Sequence, residues 1–301
     1  MKKLHLEIKY STKILSWGIS KENYFVKRGI MFDEKTAAVL SKNTIDFILV
    51  GDSVLQVKYR FRSTRQSEVQ GKPIMDIMVK HTRQVKRGAK EKHVVADMPF
   101  GSYDNVKRAS GNAEKFISAG ADSVKLEGGV EVAYIVEHLS RNGIKVMGHL
   151  GYTPQKSPLR AYGRDIKEIR KLVDDSLYLQ NAGAFAVVLE MVFAEAAAVV
   201  TQSLNIPTIG IASGPFTDGQ VLIIDDILGL TVFSKKPKFV KRFLKGNDNP
   251  DNPENIKKAV NNFIMEVRTG KYPMPWHYHQ VYEKISMIEL LNLKLQYRIL
   301  L

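Results

Sequence analysis

The chain has 301 residues, 44% of them hydrophobic and 25% charged, the mix of a folded globular protein rather than a disordered or fibrous one. It contains no cysteine, which excludes a disulfide framework, a thiolate metal site and a cysteine nucleophile, and predicts a cytoplasmic protein. Lys and Arg number 45 against 31 Asp and Glu, a net charge of +14 that suits nucleic acid, an anionic membrane or an acidic small substrate.

Taken in chain order, the N-terminal MKKLHLEIKYSTKILSWG breaks each short apolar stretch with polar residues. It predicts no secretory signal, and no later apolar run is long enough to span a bilayer. Apolar runs rich in Val and Ile predict strands near 28–32, 46–51, 93–97, 123–127, 144–149, 185–190, 207–211 and 220–224. Several are apolar throughout, as parallel strands buried on both faces are. Helix-like stretches lie between them at 34–43, 103–120, 131–143 and 164–183, and the last three close on a glycine suited to a C-cap. Strand and helix alternating in this way predict a single (β/α)₈ barrel over residues 1–277, with 278–301 as a C-terminal helical extension.

Residues 54–73 form a basic insertion after the second strand, and 246–254 (GNDNPDNPE) a turn-rich loop before a helix at about 254–269. The densest basic runs, 80–93 and 235–245, have neither the interleaved aromatics of an RNA-binding strand nor a zinc-finger or helix-turn-helix spacing. They read as solvated helix faces, with no nucleic-acid partner. The amphipathic tail 283–301 is read as packing on the barrel or on a neighbouring subunit rather than on a membrane.

In a barrel the polar residues at the C-terminal strand ends line the active site. Those ends read Asp33, Asp52, Asp97, Glu127, His149 and Glu190. Singly, each is more simply a helix cap or an ion-paired residue. Together they crowd like charges at one mouth, which calls for a cation. Asp52, Asp97 and Glu127 offer hard oxygen donors suited to Mg²⁺. Lys125 shares a strand face with Glu127 and suits a substrate carboxylate. His149 either hydrogen-bonds a substrate or caps a loop, and Glu190 is either a general base with a raised pKa or a buried, paired glutamate.

The segments LVGDS (49–53), VVADMPFGSY (94–103), ADSVKLEGG (121–129), GHLGYTPQ (148–155), NAGAFAVVLE (181–190), IPTIGI (206–211), DGQVLI (218–223) and PKFVKRF (237–243) resemble, in order, the ketopantoate hydroxymethyltransferase family over roughly residues 30 to 277. The resemblance implies a (β/α)₈ barrel of the phosphoenolpyruvate/pyruvate type, a homodecamer using Mg²⁺. Its implied reaction carries a one-carbon unit from 5,10-methylenetetrahydrofolate to the 2-oxo acid 3-methyl-2-oxobutanoate. It implies Asp52, Asp97 and Glu127 as metal ligands. Ser53, Asp97 and Lys125 would then hold the keto acid, with Asp52 and His149 as further substrate contacts from their place at the strand ends, and Glu190 would accept its proton.

The chain departs from the family around this site. The loop after GDS reads VLQVKYRFRST, with Arg60 and Arg62 where the family has glycine and aspartate, and the glycine-rich stretch before the 164–183 helix is shortened to SPLRAYGR. An active enzyme with a reshaped mouth is the expectation, and a non-catalytic subunit kept for assembly or binding is the alternative.

Overall fold

The computed structural model describes residues 15–16, 34–57, 59, 63–69, 71–231, 233 and 236–280. The strand predicted at 28–32, Asp33, part of the 54–73 insertion and the tail 283–301 lie outside the described residues. The elements run β1 (Leu15–Ser16), α1 (Glu34–Ser41), β2 (Phe47–Val50), α2 (Val54–Val57), β3 (Glu68–Val69), β4 (Lys72–Pro73), α3 (Ile74–Gly88) and β5 (His93–Asp97). They continue with α4 (Val106–Ser118), β6 (Ser123–Glu127), α5 (Val130–Arg141), β7 (Val146–Gly151), α6 (Ile166–Asn181), β8 (Ala186–Glu190), α7 (Ala194–Ser203) and β9 (Thr208–Ile211). The last are β10 (Gly219–Gln220), α8 (Ile224–Leu228), α9 (Pro253–Arg268) and a 3₁₀ turn at Pro275–His277.

Eight strands form one sheet in the order β1-β10-β9-β8-β7-β6-β5-β2, every pairing parallel. Among the described residues β1 and β2 are its two ends. Each crossover from β5 to β9 carries a helix, so the predicted (β/α)₈ barrel is the fold. Alternate residues divide the strands between two cores. The outward set, Ile48, Val94, Val124, Val146 and Val187 among them, packs against helix residues such as Phe116, Leu139, Ile169 and Leu179. The inward set, Phe47, Leu49, Val95, Met147, Ala186, Val188, Ile209, Ile211 and Val221, fills the barrel as a separate cluster. This filled interior is the floor of the site.

The local signals account for most helix boundaries. Asn105 accepts a hydrogen bond from the Arg108 N–H at 3.0 Å at the start of α4, and Asp165 one from the Glu168 N–H at 2.9 Å at the start of α6. Gly120, Gly143 and Gly183, with φ of +98°, +79° and +94°, follow α4, α5 and α6 where the sequence predicts C-caps. The part of the basic run 80–93 that lies on α3 behaves as predicted, with Lys80, Arg83 and Arg87 exposed while Ile74, Ile77, Met78 and Val85 are buried; beyond Gly88 the run leaves the helix and His93 opens β5. The run 235–245 does not. Its described residues are irregular chain, with Val240, Phe243 and Leu244 buried and Lys241 paired to Glu266. The strand predicted at 220–224 pairs only at Gly219–Gln220, because Ile224 already opens α8.

One close approach fixes a glycine. A Cβ on Gly88, at the end of α3, would lie 2.0 Å from the backbone oxygen of Glu34 and 2.9 Å from the Ala37 Cβ, so α1 and α3 meet here backbone to backbone. Gly88→Ala is expected to lower stability by about 1–3 kcal/mol, the cost of overpacking a closed contact. A fall in the urea midpoint at constant m-value would register it, and an unchanged midpoint would show that α1 yields freely.

Candidate active site

The sheet register assembles the site. Asp97 pairs with Lys125, Glu127 with His149, and Gly151 with Glu190, so Asp97, Lys125, Glu127, His149 and Glu190 stand on the inner face at the C-terminal ends of β5 to β8. Asp52 and Ser53 enter from the turn after β2, where the Asp52 N–H donates to Asp97 Oδ2 at 3.1 Å. Asp52, Asp97, Lys125, Glu127, His149 and Glu190 line one narrow cavity, floored by Leu49, Val188, Ile211 and Val221 and walled by Pro154, Leu222 and Ile223. Ser53 is buried beside it, and its Oγ finds no hydrogen-bond partner among the described residues. The sequence-predicted candidates with described positions therefore converge on one place.

Lys125 is 5% exposed, and its ammonium lies 3.0 Å from Asp97 Oδ1 and 3.3 Å from His149 Nδ1. The first contact lacks the alignment of a hydrogen bond, so Asp97 Oδ1 accepts none. Burial drags the Lys125 ammonium toward neutrality, but the charges of Asp97, Glu127 and Asp52 outweigh it and hold the lysine above its ordinary value. His149 spans the mouth, with Nδ1 3.5 Å from Glu127 Oε1 and Nε2 3.3 Å from Glu190 Oε2. Burial and Lys125 both pull its pKa down, and the two glutamates more than restore it, leaving His149 above the usual imidazole range. Burial, and then the charges of Asp97 and Glu127, push the Asp52 carboxyl up to about 7 against the pull of Lys125.

Two buried residues of the site gave no sign of their role in the sequence, Gln155 and Tyr103. The Gln155 Nε2 donates to Asp52 Oδ2 at 2.7 Å and to the Met98 carbonyl at 3.0 Å, and its backbone N–H donates to Glu127 Oε2 at 2.9 Å. The Tyr103 hydroxyl donates to Gln155 Oε1 at 2.5 Å. Both lie in motifs noted above, VVADMPFGSY and GHLGYTPQ, but only the folded loop brings position 155 to position 52.

Three buried carboxylates thus face one ammonium. Their hard oxygens and the upward pressure on Asp52 suit a divalent cation such as Mg²⁺. Among the described residues no three His, Asp or Glu side chains form a ready-made cage. A divalent cation held here would take few protein oxygens and keep several waters, as Mg²⁺ does.

A filled parallel barrel with carboxylates, a lysine and a histidine gathered at its C-terminal mouth is the arrangement of a (β/α)₈ barrel enzyme. The carboxyl transferase domain of Rhizobium etli pyruvate carboxylase shares the fold, with a TM-score of 0.52 over 95% of this chain and 53% of that one at 13% identity. Residues 26–275 match the sequence model of ketopantoate hydroxymethyltransferase, and the chain belongs to that family. It is 42% identical over 258 residues to the 3-methyl-2-oxobutanoate hydroxymethyltransferase of Pyrococcus furiosus, covering 84% of this chain and 86% of that protein. To the enzyme of the same name from Saccharolobus solfataricus it is 39% identical over 254 residues, 83% of this chain and 90% of that one.

Proposed function

We propose that the protein transfers a hydroxymethyl group from 5,10-methylenetetrahydrofolate to 3-methyl-2-oxobutanoate, giving 2-dehydropantoate for pantothenate synthesis in the cytoplasm. The observation that carries this reading is the convergence of Asp52, Asp97, Lys125, Glu127, His149 and Glu190 on one cavity in a chain of this family. Asp52, Asp97 and Glu127 would hold Mg²⁺, which when bound polarises the keto group of a 2-oxo acid and favours its enolate. The Lys125 ammonium faces the substrate carboxylate, and the free Ser53 hydroxyl donates to a substrate oxygen. Glu190, at the open side of the cavity, takes the proton from C3. His149 Nε2, 3.3 Å from Glu190 Oε2, would turn from that carboxylate to a substrate oxygen when the keto acid enters.

The two carbon–nitrogen bonds of the one-carbon unit break and C3 bonds to that carbon, with water supplying its hydroxyl group and the hydrogen for one folate nitrogen. The proton taken up by Glu190 passes to the other folate nitrogen, and tetrahydrofolate leaves. The barrel floor keeps water away from the carbanion on its inner side. Basic surface charge, +14 over the chain, favours the acidic tail of the folate and opposes no step of the reaction.

The test separates proton removal from folate binding. Deuterium should enter C3 of 3-methyl-2-oxobutanoate in the presence of Mg²⁺ with no folate present, and hydroxymethyl transfer should follow once the donor is added. Binding of the keto acid with no exchange would remove the enolate mechanism.

A homo-oligomer belongs to the same proposal. Val130 and Tyr134 on α5 and Tyr178 on α6 are exposed by 46%, 51% and 54%, an apolar and aromatic set on neighbouring helices that a second copy of the chain would cover. Light scattering at micromolar concentration should report an assembly of several chains, up to the decamer the family implies; a monomer at that concentration would refute it. Among the described residues no helix is long and apolar enough to cross a membrane.

A further inference from the structure

Gln155 has no part in the roles assigned above, yet it ties together pieces of the site that start on different strands. Its backbone N–H is held by Glu127 Oε2 at 2.9 Å, which anchors the residue to the end of β6. From there its side chain reaches Asp52 Oδ2 at 2.7 Å, after β2, and the Met98 carbonyl at 3.0 Å, after β5. The residue is 2% exposed, so none of these bonds is shared with bulk water.

The direction of every bond is fixed. The Glu127 N–H donates to the Tyr103 hydroxyl at 3.3 Å, and that hydroxyl donates to Gln155 Oε1 at 2.5 Å. The amide cannot turn over, because Oε1 would then face two acceptors, the Asp52 carboxylate and the Met98 carbonyl. One oxygen of Asp52 is consequently occupied by a neutral donor that brings no competing charge. A lysine in that place would neutralise the carboxylate, and a glutamate would repel it. A glutamine fixes the orientation of Asp52 and leaves its charge for a cation.

We infer that Gln155 is the positioning residue for the divalent-cation site: by holding Asp52 against Glu127 through a Tyr103-oriented amide, it sets the affinity for the metal. The inference rests on the cation proposed above. Outer hydrogen-bond partners of metal ligands commonly change metal affinity by about 10–100-fold when removed.

The experiment titrates Mn²⁺ into the full-length wild-type, Gln155→Met and Tyr103→Phe proteins, following free Mn²⁺ by electron paramagnetic resonance and folding by thermal melting. Gln155→Met keeps the volume and the backbone bond to Glu127 but frees Asp52, and should weaken Mn²⁺ by about 10–100-fold. Its C3 exchange should recover at raised Mg²⁺, a split that a merely structural lesion does not produce. Tyr103→Phe, which removes the donor to Oε1 and the acceptor of the Glu127 N–H, should weaken Mn²⁺ by a smaller factor. Folded Gln155→Met with wild-type Mn²⁺ affinity overturns the inference. Should that variant not fold, Tyr103→Phe decides, and wild-type affinity there overturns it equally. A wild-type protein that binds no Mn²⁺ removes the cation itself, and the inference with it, whereas tight wild-type binding without C3 exchange counts against the proposed reaction alone.

Discussion

Glu190→Gln is expected to abolish deuterium exchange at C3 of 3-methyl-2-oxobutanoate while leaving the fold and the assembly state unchanged. The glutamate ends β8 on the inner face, its side chain is 14% exposed, and its Oε2 lies 3.3 Å from His149 Nε2. Glutamine keeps the size and a polar partner for the imidazole but cannot accept a proton. General base catalysis is worth about 10²–10⁴-fold, so exchange should fall at least by about 100-fold. The thermal midpoint should hardly move, because the group sits at the mouth rather than in the floor. Exchange within a few-fold of wild type would remove Glu190 as the base and shift attention to His149, whose imidazole lies beside it.

Lys125→Met should cost both stability and substrate. The ammonium is the one cation among the cavity-lining side chains apart from any charge on His149, and it faces Asp52, Asp97 and Glu127. Removing one partner of a buried ionic cluster costs about 3–5 kcal/mol, because the carboxylates left behind must repel one another or take up protons. For a chain of this size that corresponds to a thermal midpoint lower by roughly 10 °C. Added Mg²⁺ should restore part of the loss, since a divalent cation supplies the missing charge. Keto acid binding should not return with it, since the carboxylate-binding ammonium is gone. A variant that melts with the wild type and still binds the keto acid would show that Lys125 compensates nothing and holds nothing.

The barrel and most of the side chains gathered at its mouth were legible in the sequence because both are written locally. Apolar runs such as FAVVLE and HVVAD mark strands buried on both faces, and the carboxylate or imidazole at the end of each run falls at the mouth by the geometry of the fold. Period two places Lys125 and Glu127 on one face before any coordinates are known. Gln155 was not legible because its partner at position 52 is 103 residues away and no periodicity links a loop residue to it. The run 235–245 misled for a related reason. Its lysines suggest a solvated helix, but Phe243 stacks edge-on against Phe263 of α9 and Tyr272, with centroids 5.4 and 5.6 Å away, and tertiary packing decides the conformation there. The two-residue β1 carries no pattern of its own and exists through its pairing with β10.

The inward-facing cluster from Phe47 to Val221 makes the barrel a pit with a single opening. Under the proposed reaction two molecules of very unequal size must use that opening, and it is too narrow for them to pass one another. The small acid has to descend first and the bulky donor has to settle over it. On the way out the order reverses, so the finished product waits beneath the spent donor. Traffic at this site is a stack, last in and first out, and the residues that never touch a reacting atom set that rule by filling the bottom of the well.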